Sequence, residues 1–437
     1  MNICVVGTGY VGLVAGTGMS DFGMNVTCVD IDNDKIEALN RGETPIYEIG
    51  LRELIERNVK LDRLHFSTDF ESAVDRCLVI FLALGTPELE DGSADLSAIR
   101  KVAEEIGRHM KEYKIVAIKS TVPVGTAGEI KDIIRKNQKY PVEFDVVSNP
   151  EFLRQGSAVE DFMRPNRVIL GSDSERALAI MRDIYRPLYL LDTPIVSTTN
   201  ETAEIIKYAA NTMLALRISY INEIANICDL IGADVNHVVK ALGMDKRIGP
   251  YFLHPGPGFG GSCFPKDVKS LVKISENYGY DFKIARSIIE VNEHQKELVV
   301  EKARGMIGDL REKTVTLLGI SFKPNTDDLR EAPAVHIARR LLEEGAAVNN
   351  YDPIAMDKAR QVLPKIEYFK NAYDACRDSD LLIIVTEWNE FRDLNFSRIK
   401  ELMRRPNVYD TRNLYDGNAV IKEGFNYIST GRNFRQK

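Results

Sequence analysis

One cysteine of this chain stands in a setting that suits covalent chemistry. The stretch Gly256-Pro-Gly-Phe-Gly-Gly-Ser-Cys-Phe-Pro-Lys-Asp267 is dense in glycine and runs into Val268-Lys-Ser-Leu-Val-Lys-Ile274, where apolar residues recur at helical spacing. Glycines at 256, 258, 260 and 261 remove the side chains that would keep a ligand away from the backbone. Cys263 therefore falls near a helix N-terminus, where unpaired N–H groups and the helix dipole favour the nucleophilic thiolate. Asp267 follows four residues later, about one turn on and on the same face. The competing reading is a buried, inert cysteine in a structural loop.

A second set of groups sits where strand-like runs end. An apolar run over 1–6 leads directly into Gly7-Thr-Gly-Tyr-Val-Gly12 and then a small-residue helical pattern through Gly23. In this G-x-G-x-x-G, Gly7 permits the tight turn, Gly9 lets a pyrophosphate reach the backbone, and Gly12 allows close helix–strand packing. The next strand ends at Asp30, eighteen residues beyond Gly12, where a carboxylate can accept hydrogen bonds from an adenosine ribose and would repel a 2′-phosphate. The cofactor expected is therefore NAD rather than NADP. Further strand-like runs at 78–84, 115–118 and 144–147 alternate with helical patterns, as in a doubly wound parallel sheet whose ligands bind outside the strand C-termini. The turns that follow carry Thr86, Thr121 and Glu151. The two threonines read equally well as turn and capping residues. An acid at a strand end in Asn149-Pro-Glu-Phe-Leu153 is poorly explained by packing.

The elements that must position these groups continue through the chain. Apolar residues at 205, 206, 209, 213, 216, 220, 221, 224, 227, 228 and 231 keep a helical period, and a helix over 200–231 would be ~45 Å long. Lys207 and Asn211 form an i, i+4 pair on it, either solvated on a linker helix or buried as hydrogen-bonding groups for a developing oxyanion. Arg247 centres a Gly- and Pro-containing loop between that helix and the thiol. The last third repeats the first: a run at 314–318, Gly319, a helical 332–342, a run at 347–351 and Asp352, then 380–386 answering 78–86. It lacks the G-x-G-x-x-G, so its ligand should not be a dinucleotide bound in the same manner. Lys323 and Arg412 stand at its strand ends, where they could hold phosphates. The expected fold is α/β, two Rossmann-like doubly wound parallel-sheet domains joined by a long central helix. The expected segments are 1–199, 200–310 and 311–437. A thiol between an NAD-binding half and a second nucleotide-like half is useful when an aldehyde must be oxidised. Thiolate addition gives a thiohemiacetal that can lose hydride, leaving a thioester that water cleaves.

Composition narrows the function classes. A chain of 437 residues is too long for one core. Its 44% hydrophobic and 28% charged residues are those of an ordinary globular protein. No apolar run approaches the ~18 residues of a membrane span, and the N-terminal run lacks the basic flank of an export signal. Six cysteines, at 4, 28, 77, 228, 263 and 376, show neither paired nor metal-ligand spacing. A reducing cytoplasm is expected, without structural disulfides or a metal. A net charge of −7 and no long basic run argue against a nucleic-acid partner, while an anionic small molecule could be held by local Arg and Lys.

With these residues assembled, the chain resembles the UDP-glucose/GDP-mannose dehydrogenase family over essentially its whole length. The resemblance rests on Gly7-Thr-Gly-Tyr-Val-Gly12, Ser120-Thr-Val-Pro-Val-Gly125, Asn149-Pro-Glu-Phe-Leu153, Lys207-Tyr-Ala-Ala-Asn211, Gly258-Phe-Gly-Gly-Ser-Cys-Phe-Pro-Lys-Asp267 and Phe322-Lys-Pro-Asn-Thr-Asp327. The thiol loop is closer to the UDP-glucose branch than to the GDP-mannose branch, which tends to carry an Ala-Phe insertion before the Gly-Gly. It also differs from the N-acetylmannosamine branch, where a His commonly precedes the thiol. The resemblance implies four-electron oxidation of the C6 alcohol of UDP-glucose to the carboxylate, with two NAD⁺ and one water. It implies that Cys263 is the nucleophile, that Lys207 and Asn211 hold the C6 oxygen, that Asp267 with Thr121 relays the proton, and that Glu151 helps hydrolyse the thioester. Gly7, Gly9, Tyr10, Val11, Gly12, Asp30, Lys35, Thr86, Thr121, Lys266 and Arg330 would line the NAD site. Glu151, Phe152, Leu153, Lys207, Asn211, Phe252, Leu253, Gly256, Gly260, Phe322, Lys323 and Arg412 would hold the substrate, with Arg247 reaching the substrate of a neighbouring subunit in a homodimer or higher homo-oligomer. One departure is Gln155, where many relatives carry Glu, so no second carboxylate role is assigned there. Alternatives are a GDP-mannose or other nucleotide-sugar dehydrogenase, a two-electron hydroxyacid or sugar-phosphate dehydrogenase that needs no thiol, and a non-catalytic NAD-sensing module.

Overall fold

The computed structural model describes residues 1–432 and Phe434; the other residues at the end of the segment expected to run to 437 lie outside the described residues. The chain divides into two compact units, Met1–Ala210 with Lys273–Gly279, and Asn211–Val272 with Tyr280–Lys437.

The first unit is built on β1 (Asn2–Val6), β2 (Asn25–Val29), β3 (Leu64–Ser67), β4 (Val79–Leu82), β5 (Lys114–Ile118), β6 (Phe144–Ser148), β7 (Val168–Gly171) and β8 (Ile195–Thr198). Their order is β3-β2-β1-β4-β5-β6-β7-β8. The winding reverses between β1 and β4, which is where an open α/β sheet takes its ligand. The central strands are continuous apolar runs because both of their faces are covered. Ile3, Val5, Phe81, Ile115 and Ala117 join the core on one side, while Cys4, Val6, Leu82, Val116 and Ile118 join the core on the other, as the two-residue period of a strand requires.

The sheet departs from the expected all-parallel form at one junction. β6 and β7 meet antiparallel, at the single pair Ser148 and Gly171. The chain between them stays beyond the edge where β6 ends, so β7 runs back toward that edge and, with β8, extends the sheet past it. The expected strand over 78–84 also stops early, at Leu82, and its last residues form the turn that carries Thr86.

The second unit winds β9 (Thr314–Leu318), β10 (Ala347–Tyr351), β11 (Glu367–Tyr368), β12 (Leu381–Ile384), β13 (Asn407–Asp410) and β14 (Asn426–Ser429) in the order β11-β10-β9-β12-β13-β14. All neighbours are parallel, and the order repeats that of the first six strands of the first unit. The helix Asn200–Ile231 has 32 residues, and its period buries Ala203, Tyr208, Ala215, Ile221, Ala225 and Cys228. Among the described residues no helix is long and apolar enough to cross a membrane.

Candidate active site

Cys263 immediately precedes the helix Phe264–Asn277, and its carbonyl accepts the N–H of Asp267 at 2.8 Å, the first turn of that helix. The thiol is the one cysteine of the six that is not buried. Burial pushes the Cys28 and Cys376 thiols up to about 12, which leaves them protonated and inert. Beside Cys263 stand Ser262, whose hydroxyl is 3.6 Å from the sulfur, and the loop that carries Arg330, whose carbonyl accepts the N–H of Gly261 at 2.9 Å. The Arg330 guanidinium is clamped by the Asp328 carboxylate at 2.6–3.1 Å. That pairing, then the nearby Cys263, keeps it charged.

Asp267 is almost fully buried and receives Asn211 Nδ2 at 2.6 Å, with Lys266 Nζ 2.8 Å from its other oxygen. Asn211 and Asp267 thus act as a unit within one hydrogen bond of each other. Of the two NAD-site expectations in this unit, Lys266 and Arg330, both lie around the thiol. Phe252, in a left-handed conformation, packs edge-on against Phe264, and the next residue, Leu253, is buried. Gly256 donates its N–H to Asn222 and accepts from Gln295; a Cβ there would come within 2.9 Å of Arg412 Nη1. At Gly260 a Cβ would lie 2.2 Å from the Glu331 carbonyl. Phe322 lies against Gly261, and Lys323 Nζ is 5.6 Å from the Phe322 ring. Arg412 bonds the Val385 carbonyl and pairs with Glu387 at 3.0 Å. Arg247 stands apart, exposed and paired with Asp245.

In the first unit Lys207 is buried and donates to Glu151 at 3.0 Å, and its ammonium lies 5.2 Å from the Phe152 ring. The reading of Lys207 as a solvated linker residue fails: it is buried, in a cavity that it shares with Thr121, Ser148 and Pro150, and burial of its charge demands a partner of opposite charge. The other oxygen of Glu151 accepts the N–H of Leu153, which closes the turn after β6.

The glycine loop fits a dinucleotide. Gly7 adopts φ +98, and a Cβ on Gly12 would lie 1.8 Å from the Gly7 carbonyl, so the helix Tyr10–Asp21 starts hard against β1. A Cβ on Gly9 would meet nothing within 4 Å, leaving its backbone open. Asp30, at the end of β2, accepts from Thr8 N and Thr8 Oγ1 at 2.8 and 2.7 Å, with Lys35 Nζ at 3.3 Å. Burial alone would raise its carboxyl, but the bonds from Thr8 and Asp32 and the charge of Lys35 hold it below its ordinary value. Tyr10 hydrogen-bonds to Glu48, and Val11 is half-buried in the first turn of the helix. Thr86 donates to the Thr121 carbonyl at 2.9 Å, which ties the turns after β4 and β5 together. In the second unit the residue matching Asp30 is Asp352. It is fully buried and already receives Ile320 N, Ser321 N, Ser321 Oγ and Trp388 Nε1.

Residues 1–189 match the NAD binding domain of the UDP-glucose/GDP-mannose dehydrogenase family, 201–294 its central domain and 316–417 its UDP binding domain. The chain belongs to this family. It is an NAD-dependent oxidoreductase. It is 45% identical to a UDP-glucose 6-dehydrogenase of Rhizobium meliloti over 99% of this chain and 100% of that one. A second UDP-glucose 6-dehydrogenase, from Bacillus subtilis, is 45% identical over 99% of this chain and 93% of its own. The solved UDP-glucose dehydrogenase of Pyrobaculum islandicum superposes with a TM-score of 0.91 at 37% identity, covering 98% of this chain and 96% of that one.

Three groups of this dehydrogenase, Lys119, Tyr185 and Glu204, have no part in the sequence analysis. Lys119 is buried at the end of β5, donates to Asn149 at 3.3 Å, and is pushed down to about 8 by desolvation, against the pull of Glu151. Asn149 also receives the Tyr185 hydroxyl at 2.6 Å. Glu204 lies one turn before Lys207 and is buried. A lysine directly after an apolar run and an acid among Ala203, Ile205 and Ile206 were the available signals.

Proposed function

We propose that this dehydrogenase converts UDP-glucose to UDP-glucuronate in two successive oxidations of C6. The balance is R–CH₂OH + 2 NAD⁺ + H₂O giving R–COO⁻ + 2 NADH + 3 H⁺. The observation that carries this reading is the half-exposed Cys263 at a helix start, one turn from the Asn211–Asp267 pair. The loop Gly7 to Gly12, with Asp30, Lys35 and Thr86, would hold NAD, which would supply the acceptor for the hydrides that leave the substrate carbon.

Cys263 adds as thiolate to the aldehyde carbon and forms a thiohemiacetal, whose oxidation leaves a thioester on the sulfur. Lys207 and Asn211 hold the C6 oxygen as charge develops; Asn211 spends one of its two amide N–H groups on Asp267 and presents the other to that oxygen. Asp267 with Thr121 takes the proton of the alcohol. Glu151 takes the proton of the water that cleaves the thioester, freeing carboxylate and thiol. Phe252, Leu253, Gly256, Gly260, Phe322, Lys323 and Arg412 hold the nucleotide, and Phe152 and Leu153 the sugar side.

The functional segments are 1–199 for NAD, 200–310 for the central helices and thiol loop, and 311–437 for the UDP-sugar. The active form is a homodimer or higher homo-oligomer built on the helix Asn200–Ile231, with Arg247 reaching the neighbouring subunit's substrate, and it works in the cytoplasm with its thiols reduced. Exposed Met213, Tyr220 and Ile227, seven residues apart on that helix, support the assembly. The test is NADH yield and product mass from UDP-glucose. Two NADH per UDP-glucuronate are expected, with turnover lost in Cys263→Ser; one NADH per UDP-glucose, or a normal full-cycle rate in that variant, sinks the four-electron covalent route. GDP-mannose in the same assay tests the near alternative.

A further inference from the structure

Glu204 is a carboxylate that the mechanism above does not use, yet three elements of the site meet on it. Its Oε2 accepts the N–H of Gly125 at 2.7 Å and its Oε1 that of Ala127 at 2.8 Å, while the Ser148 hydroxyl reaches Oε1 at 3.4 Å. Gly125 begins the helix Thr126–Asn137 in a left-handed conformation and has no side chain to cap it. The caps therefore come from a residue 79 positions away. The loop so fastened carries Thr121, the strand end bonded through Ser148 leads into Glu151, and the helix bearing Glu204 presents Lys207 one turn later. Thr121, Ser148, Pro150, Glu204 and Lys207 line one small cavity. A second tie runs beside it, from Ser148 N to Asn200 Oδ1 at 2.9 Å on the same helix.

We infer that Glu204 is a positioning residue for the oxidation: it fixes the Thr121 loop and the strand end before Glu151 against the helix that carries Lys207. The same carboxylate meets the Ser148 hydroxyl, so it joins the loop to the strand end as well as capping the helix. The charged groups around it are few. Glu201, one turn earlier, raises its carboxyl further, Lys207 shares the cavity, and the facing loop and strand end present main-chain N–H groups and hydroxyls. This inference rests on the role proposed for Thr121 in the proton relay.

The experiment uses the full-length chain with UDP-glucose and NAD⁺. Glu204→Gln keeps an acceptor for one of the two main-chain N–H groups and sets an amide NH₂ against the other. We expect kcat to fall about 10²-fold, with KM for UDP-glucose changed less than about 3-fold because the groups proposed to hold the nucleotide are not among those that Glu204 ties. Together with Thr121→Ala the losses should not add, since both act through one loop. Glu204→Asp, which keeps the charge but shortens the reach, carries the same test if Glu204→Gln does not accumulate as folded protein. Ordinary kcat in folded Glu204→Gln beside an impaired Thr121→Ala, or additive losses in the pair, would overturn the positioning role alone. Full turnover in Thr121→Ala would strike the relay role of Thr121 and this inference with it.

Discussion

Lys207 and Glu151 are opposite charges held 3.0 Å apart with almost no water contact. Such a pair contributes little net stability, because desolvation offsets the attraction, but removing one member leaves a buried charge uncompensated. Lys207→Ala should therefore destabilise the fold by about 3 kcal/mol as well as abolish turnover, read from the urea midpoint. The double substitution of Lys207 by Met and Glu151 by Leu should recover most of that stability while staying inactive. A single variant as stable as the parent would mean that the pair is not buried in solution. At this scale the sequence was informative about identity and less so about partnership: Lys207, Asn211, Glu151 and Asp267 were all legible as chemical groups. That Lys207 bonds Glu151 and Asn211 bonds Asp267 was not.

At the scale of elements, Glu204 links the pH response to the fold. Burial outweighs the pull of Ala127 N, Gly125 N and the Ser148 hydroxyl, so its carboxyl stands at about 7 against an ordinary 4.5. Between those values the folded chain holds a proton that the unfolded chain has released, so this group's contribution to stability falls as pH rises through the window. Glu204→Gln cannot titrate and should flatten the slope of Tm against pH over 4.5 to 7. An unchanged slope would show that the group is ionised throughout. Most elements were readable from period and punctuation, because a strand buried on both faces and a long amphipathic helix leave clear patterns. The antiparallel β7 left none, since its four residues, Val168–Gly171, look the same in either direction.

For the whole molecule, the stripe Met213, Tyr220 and Ile227 remains about half exposed in the single chain. Apolar residues one heptad apart on a helix of this length are suited to a partner helix. On the assembly proposed above, Ile227→Asp should sediment as a monomer where the parent sediments as an oligomer, and an unchanged mass would remove this helix from the interface.

The sequence by itself determined whatever one element contains. The glycine spacing of 7, 9 and 12, the acid at 30, and the thiol placed at the start of a helix are all local, so covalent geometry fixes them before any fold is known. Tertiary structure decided the pairs that span distant segments. Lys207 and Glu151 are 56 residues apart, as are Asn211 and Asp267, and Glu204 caps a helix 79 residues away. Those contacts depend on where loops return the chain and on the demand that every buried charge and N–H find a partner, which spacing along the sequence does not encode.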